Sequence, residues 1–482
     1  SLWAPLNSSP DAFDFWVARR RAKGNMSSVV QKMKSPLACF GCGKSKNGGG
    51  GYATAPASNT TPLLSGDVEL ADVQRRIKSG VDLMKADPKS GEFPLLTASK
   101  AGRLPLVVGL LEKSVCAMQV NKVTGHTSLV HASFGGHVAI VEALLRAKAD
   151  ANQMNRLYGQ TPLIIAAAHG YLKIVALLLD ARAHPDESEA EPEMPLVTPP
   201  RPQQASAGKT LMSKTGATPL LAAIMEGHVD VMELLLERRA CVDRFASSTG
   251  HMVGGRPIVA ASEKGHEAAV ATLIKHRADI TFPDEANKNF ALLMAAQSGN
   301  AKVVELLLET GQENAGNVHE GNGNFPLLVA ARSNHAEVAN TLLSKGADKE
   351  QLHVMTGKFA LFEASACGST KVVQLLLQQQ CDPNEKHEDS SDTVLMAAAR
   401  GGHGSTVRLL VTRGADIGRA NAATGEFPLL LAAKVPEETA LAELLLLKAD
   451  PAQKQAKTGE SVLDMAKSNG KIRDALVKHG RQ

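Results

Sequence analysis

Gln160–Asp186 reads QTPLIIAAAHGYLKIVALLLDARAHPD, and it contains two helical patterns back to back. Ile164–Ala168 is a run of small and aliphatic residues, and Leu172–Leu179 places apolar residues at i, i+3 and i+4, the spacing of one helix face. His169-Gly170 between them is where the first helix must stop. With Leu163 taken as a register mark, its counterparts are Leu95, Leu129, Leu220, Ile258, Leu292, Leu327, Leu361, Leu395, Leu429 and Leu463. Most steps are 34 residues; the exceptions are 57 to Leu220, 38 to Ile258 and 35 to Leu327. Self-similarity at a fixed period of this size predicts an all-α solenoid of stacked helix-turn-helix units.

Composition agrees. The 482 residues hold only 2 Trp, 3 Tyr and 12 Phe, so Ala and Leu must do the packing. A net charge of +4 is too close to neutral to argue for nucleic acid along the whole molecule. The basic character sits in an arm: residues 1–60 carry eight Lys/Arg against Asp11 and Asp14, leaving +4 − 6 = −2 for the remainder. Six scattered cysteines suggest no disulfide framework and favour a reducing compartment. No apolar run approaches the roughly 20 residues needed to span a bilayer. The chain does not begin with Met, so its numbering is read as starting upstream of the natural start or inside a longer protein; the Arg cluster follows the apolar residues, which argues against a secretory signal.

The predicted organisation is a disordered basic and Gly/Ser-rich arm over 1–65 and a half-repeat N-terminal cap over 66–90. Repeats cover 91–186 and 215–460, an acidic then Pro-rich loop insert fills 187–214, and 461–482 is a C-terminal cap repeat. Three columns carry the packing. An alanine stands three residues after every mark, from Ala98 to Ala466, where close helix approach demands a small side chain. Leucine stands fifteen after the mark in ten units, and trimming one to Ala should cost about 2–5 kcal/mol. Seven after the mark, Gly102, Gly136, Gly170, Gly227, Gly265, Gly299, Gly368, Gly402 and Gly470 are expected to supply a left-handed C-cap; only Asn334 and Pro436 differ.

TPLIIAAAHGYLKIVALLLDARAHPD and TVLMAAARGGHGSTVRLLVTRGADI resemble the ankyrin repeat, with its TPLH-like start, paired helices around a Gly and GAD-like ending. The resemblance covers roughly residues 66–480. It departs from the pattern in that the histidine of TPLH is absent from every unit and the threonine is replaced in Phe93, Phe290, Phe325, Phe359 and Phe427. The side-chain hydrogen bonds usual at this turn cannot form there, so apolar packing should take a larger share.

Chemical motifs are few. His137, His228, His266, His335 and His403 recur eight residues after their marks, but repeats about 10 Å apart cannot bring two of them onto one zinc. A helix-start histidine bonding neighbouring backbone is the expected role. Gly43-Lys44-Ser45 lacks the first glycine of a phosphate loop, since residue 38 is Ala. Cys39 and Cys42 beside Lys44 and Lys46 are candidate lipidation sites, and Pro199–Pro202 is a PxxP match. No catalytic set stands out from the repeat, so no enzyme and no cofactor is expected.

What the resemblance implies is binding across the concave face formed by the inter-repeat turns and the first helices. Phe134 and Met225, with Arg156, Leu157 and Tyr158 on the turn between them, form a candidate apolar-aromatic patch, and Arg332, Arg400 and Lys434 a candidate basic stripe. The expectation is a monomeric, non-enzymatic scaffold or adaptor for a protein partner in the cytoplasm, with no nucleic acid; membrane association follows only if the arm is acylated. The alternatives are a membrane-tethered adaptor and the repeat region of a larger enzyme or channel.

Overall fold

The computed structural model describes residues 84–87, 91–122, 124–155, 159–187, 217–244, 255–284 and 287–479, all within the compact unit Thr60–Gln482. Among them run eleven helix pairs and no strands, from Pro94–Lys100 with Leu104–Glu112 to Val462–Ser468 with Gly470–His479. Only three isolated bridges, such as Val120 with Thr127, decorate the turns of the described residues. Each first helix packs on its own second helix and on the first helices of adjacent repeats, and the second helices stack likewise. The candidate cap at 66–90, except Met84–Asp87, and the insert beyond Glu187 lie outside the described residues.

Nine of the eleven first helices begin in one of two ways. Thr127, Thr161, Thr218 and Thr393 each accept the backbone N–H three residues on, at 3.2–3.3 Å, which satisfies one of the orphan donors of the first turn. Phe93, Phe290, Phe325, Phe359 and Phe427 occupy the same position without any side-chain cap bond. Phe325, Phe359 and Phe427 are at most 1% exposed, so burial of a ring takes the place of the lost hydrogen bond. The core follows the expected columns: every leucine from Leu110 to Leu444 fifteen residues after its mark is fully buried, and the alanines from Ala98 to Ala432 are at most 1% exposed.

The glycine column does two jobs at once. Gly102, Gly136, Gly170, Gly227, Gly265, Gly299, Gly368 and Gly402 all have positive φ, as a left-handed helix end requires. A Cβ built on Gly368 would also lie 2.5 Å from Nδ1 of His403, and on Gly170 2.6 Å from Nδ1 of His228. The following repeat's ring therefore fills the space where a side chain would go. Asn334, at φ 59°, is the exception that fits, because the next repeat has the small Ser369 in place of a ring. Gly470 corrects the expectation: it is the first residue of the last helix, preceded by extended Asn469, and does not act as a left-handed cap. The preceding helix is held instead at its start by a capping box between Ser461 and Asp464.

A further column, eight residues before the mark, is polar and buried: Asn121, Asn155, Asp284, His319, His353, His387, Asn421 and Gln455. Its members form a ladder. Nε2–H of His387 donates to the carbonyl of Thr356 at 2.5 Å, Nδ2 of Asn421 to that of Ser390 at 2.7 Å, and Nε2 of Gln455 to that of Thr424 at 2.8 Å. Each acceptor lies in the preceding turn. The other polar atom works locally, as when Nδ1 of His387 accepts the Ser390 N–H at 3.2 Å or Oδ1 of Asn421 accepts the Ala423 N–H at 2.8 Å. His319, His387 and Asn421 thus each satisfy backbone on both sides and hold successive turns in register.

Candidate partner-binding face

Turns and first helices share one face, and its side chains come from the turn tips and from the position five residues after each mark. Helix Ser128–Phe134 supplies the most apolar of these. Phe134 is 57% exposed, with its ring edge-on to His169 at 5.1 Å between centroids, and His169 stacks on Tyr171 at 5.6 Å. His169 is fixed by its Nδ1, which donates to the Ile165 carbonyl at 2.9 Å. On the same helix His131 lies edge-on to His126 at 4.6 Å. Burial, then Lys100, lowers His126 to a pKa of about 4; burial, then His126 and Lys100, lowers His131 to about 3. Both rings are neutral at neutral pH and add no charge to this helix.

Met225 is half-buried and packs against the core, and between it and Phe134 the intervening repeat offers the nearly buried Ala168. Arg156, Leu157 and Tyr158 lie outside the described residues, as do Cys39, Cys42 and the PxxP segment. The basic positions are all exposed and all engaged. Arg332 Nε donates to Glu363 Oε1 at 2.8 Å, Arg400 Nη2 to Asp392 Oδ2 at 2.9 Å, and Lys434 Nζ to Glu426 Oε1 at 2.7 Å. Burial works against the charge on Glu363, yet hydrogen bonds from Lys358 and Arg332 outweigh it and hold its carboxyl below the ordinary value. The hydrogen bond from Lys434 does the same for Glu426. The face is therefore one of compensated charge rather than a bare basic stripe.

The pairing had a sequence signal. Lys100 with Glu92, Arg400 with Asp392 and Lys434 with Glu426 are each eight residues apart, an acid three before the mark and a base five after it. Three of the five recurring histidines take the expected role, while Nε2 of His266 is buried without a hydrogen-bond partner. Nε2–H of His228, His335 and His403 donates to the carbonyls of Ala168, Gln297 and Ala366 in the preceding repeat, at 3.0–3.2 Å. Among the described residues no cluster of three or more His, Cys, Asp or Glu could hold a metal ion, and no helix is long and apolar enough to cross a membrane.

The family model for ankyrin repeats in three copies matches residues 65–155, 95–189, 201–284, 258–353 and 349–421. The chain belongs to the ankyrin-repeat family. A solved structure similar to this ankyrin array is the human ASB11 ankyrin repeat domain, 25% identical, covering 61% of this chain and 100% of that one with a TM-score of 0.35. In the ankyrin array the residues missed by sequence reading are the polar ladder and the turn-tip pair Val354-Met355, which are 74% and 69% exposed.

Proposed function

We propose that this ankyrin array is a non-enzymatic scaffold or adaptor, placed in the cytoplasm, that binds a protein partner on the face of its turns and first helices. Phe134 carries the proposal. A phenylalanine more than half exposed, held edge-on by His169, gains little for the fold and supplies the kind of rigid aromatic anchor that dominates interface energy. Leu129, Val130 and Ala132 on the same helix are buried, so the exposure of Phe134 is not forced by a loosely packed helix. The paired charges at Arg332, Arg400 and Lys434 fit a rim that orders a partner more than it attracts one.

The test is capture of partners by the full chain from native lysate beside Phe134→Ala. Loss of a specific protein with unchanged helical circular dichroism supports the patch; a hot spot of this kind weakens affinity by about 30-fold or more. Recovery of the same proteins by both removes it.

A further inference from the structure

The tips of the turns at His319–Gly323, His353–Gly357 and His387–Ser391 stand side by side, tied by the ladder and by close approach: a Cβ on Gly323 would meet Cγ2 of Val354 at 2.8 Å. Two residues at the same tip positions in the neighbouring turns are Glu320-Gly321 and Glu388-Asp389. The middle turn has Val354-Met355 instead, the most exposed large hydrophobic residues among those described, flanked by Leu352 at 40% and Val318 at 36% exposure. Packing does not demand apolar side chains here, because the adjacent turns are built the same way with carboxylates. Leu352, Val354 and Met355 are exposed together on one turn, more than the single scattered exposures that any surface shows.

The rim is acidic. Glu320, Glu388 and Asp389 are exposed and make no ion pair among the described residues, and Asp389 Oδ2 lies 3.7 Å from where a Cβ on Gly357 would stand. Of the basic residues within the tips and directly beside them, Lys358 is taken up by Glu363, leaving Lys386 against the three carboxylates. We infer that the Val354-Met355 tip is a second docking site, for a partner segment that presents an apolar side chain flanked by Lys or Arg. The apolar pair supplies the contact area, and the carboxylates at Glu320, Glu388 and Asp389 select the basic flanks and speed encounter. The site extends the proposed binding role and does not depend on the Phe134 patch.

The experiment is selection of a random displayed peptide library on the full chain, followed by fluorescence polarisation of the enriched peptides against variants. Enriched sequences should join an apolar residue to Lys or Arg. Val354→Asp/Met355→Asp should weaken them by about tenfold or more, and Glu388→Lys/Asp389→Lys should weaken them at low salt and flatten the salt dependence. All four side chains are exposed, so circular dichroism should be unchanged. Failure to enrich any peptide, enrichment of acidic sequences, or equal binding by the tip variants overturns the inference. Binding lost only with Phe134→Ala also overturns it while leaving the first face standing.

Discussion

Nine of the eleven helix pairs reverse direction through a left-handed residue and so do ten of the turns after a second helix, but the two reversals are filled very differently. Within the helix pair the position is glycine in eight repeats and Asn334 in one; after the second helix it is Ser114, Lys148, Arg182, Arg239, Arg277, Gln380 or Lys448 as well as Gly311, Gly346 and Gly414. The backbone demand is the same. The surroundings are not: a Cβ on Gly311, Gly346 or Gly414 would meet nothing within 4 Å, whereas at Gly102 it would meet the His137 ring at 2.7 Å. Positive φ alone costs a side chain about 1–2 kcal/mol, which a repeat tolerates. Glycine is kept where a side chain of the next repeat, most often a ring, occupies the space of its Cβ.

Gly368→Ala should break the inner reversal most, since it adds overpacking of about 1–3 kcal/mol to that backbone cost. Hydrogen exchange across the repeats on either side should show the loss, and adding His403→Ala should recover the steric part alone. The outer reversal before Phe325 carries the longer 35-residue step, and with it Glu313, buried where neighbouring repeats have Ala278 and Ala347. Burial raises its pKa to about 7, and only one carboxyl oxygen has a partner, Asn317 at 2.7 Å. A raised acid binds its proton more tightly when folded, so stability is full below pH 4.5 and falls as pH rises from 4.5 to 7. Glu313→Gln should abolish that fall, gaining about 3 kcal/mol over the parent at pH 8 and little at pH 4, as read from local exchange.

Smaller effects sharpen the contrast. Gly346→Ala should cost only the backbone part, about 1–2 kcal/mol, with no rescue from any second-site truncation. Lys148→Gly, at φ 63°, should stabilise by up to about 1 kcal/mol as the relief of strain is offset by glycine's larger unfolded-state entropy. If Gly368→Ala and Gly346→Ala cost the same, crowding by the neighbouring ring is not what holds the inner glycines.

Contacts that repeat with the period were legible in the sequence, because each column votes many times: the marks, the alanines, the leucines and the inner glycines. Gly470 misled because its column is set by a neighbouring side chain, and a Cβ on Gly470 would meet nothing within 4 Å. The charge pairs were missed for a different reason. Arg400 and Lys434 were read as isolated residues on a face, while their acids stand eight residues earlier, across the turn, and Arg332 reaches forward 31 residues to Glu363. The Phe134 ring was visible as an outlier in its column; its support by His169, 35 positions on, required the stacking of two repeats.

The polar ladder has a direction, since His319, His387 and Asn421 each give a hydrogen to the turn before and take one from their own. A unit cut out or copied between two equivalent marks would meet a donor and a turn carbonyl of the same kind at both joins, whether the rung is His387 or Asn421. The array is thereby written in interchangeable 34-residue words, and its length can change by duplication without any neighbour being rewritten. The longer steps that end at Leu220, Ile258 and Leu327 are where such an exchange would fall out of phase.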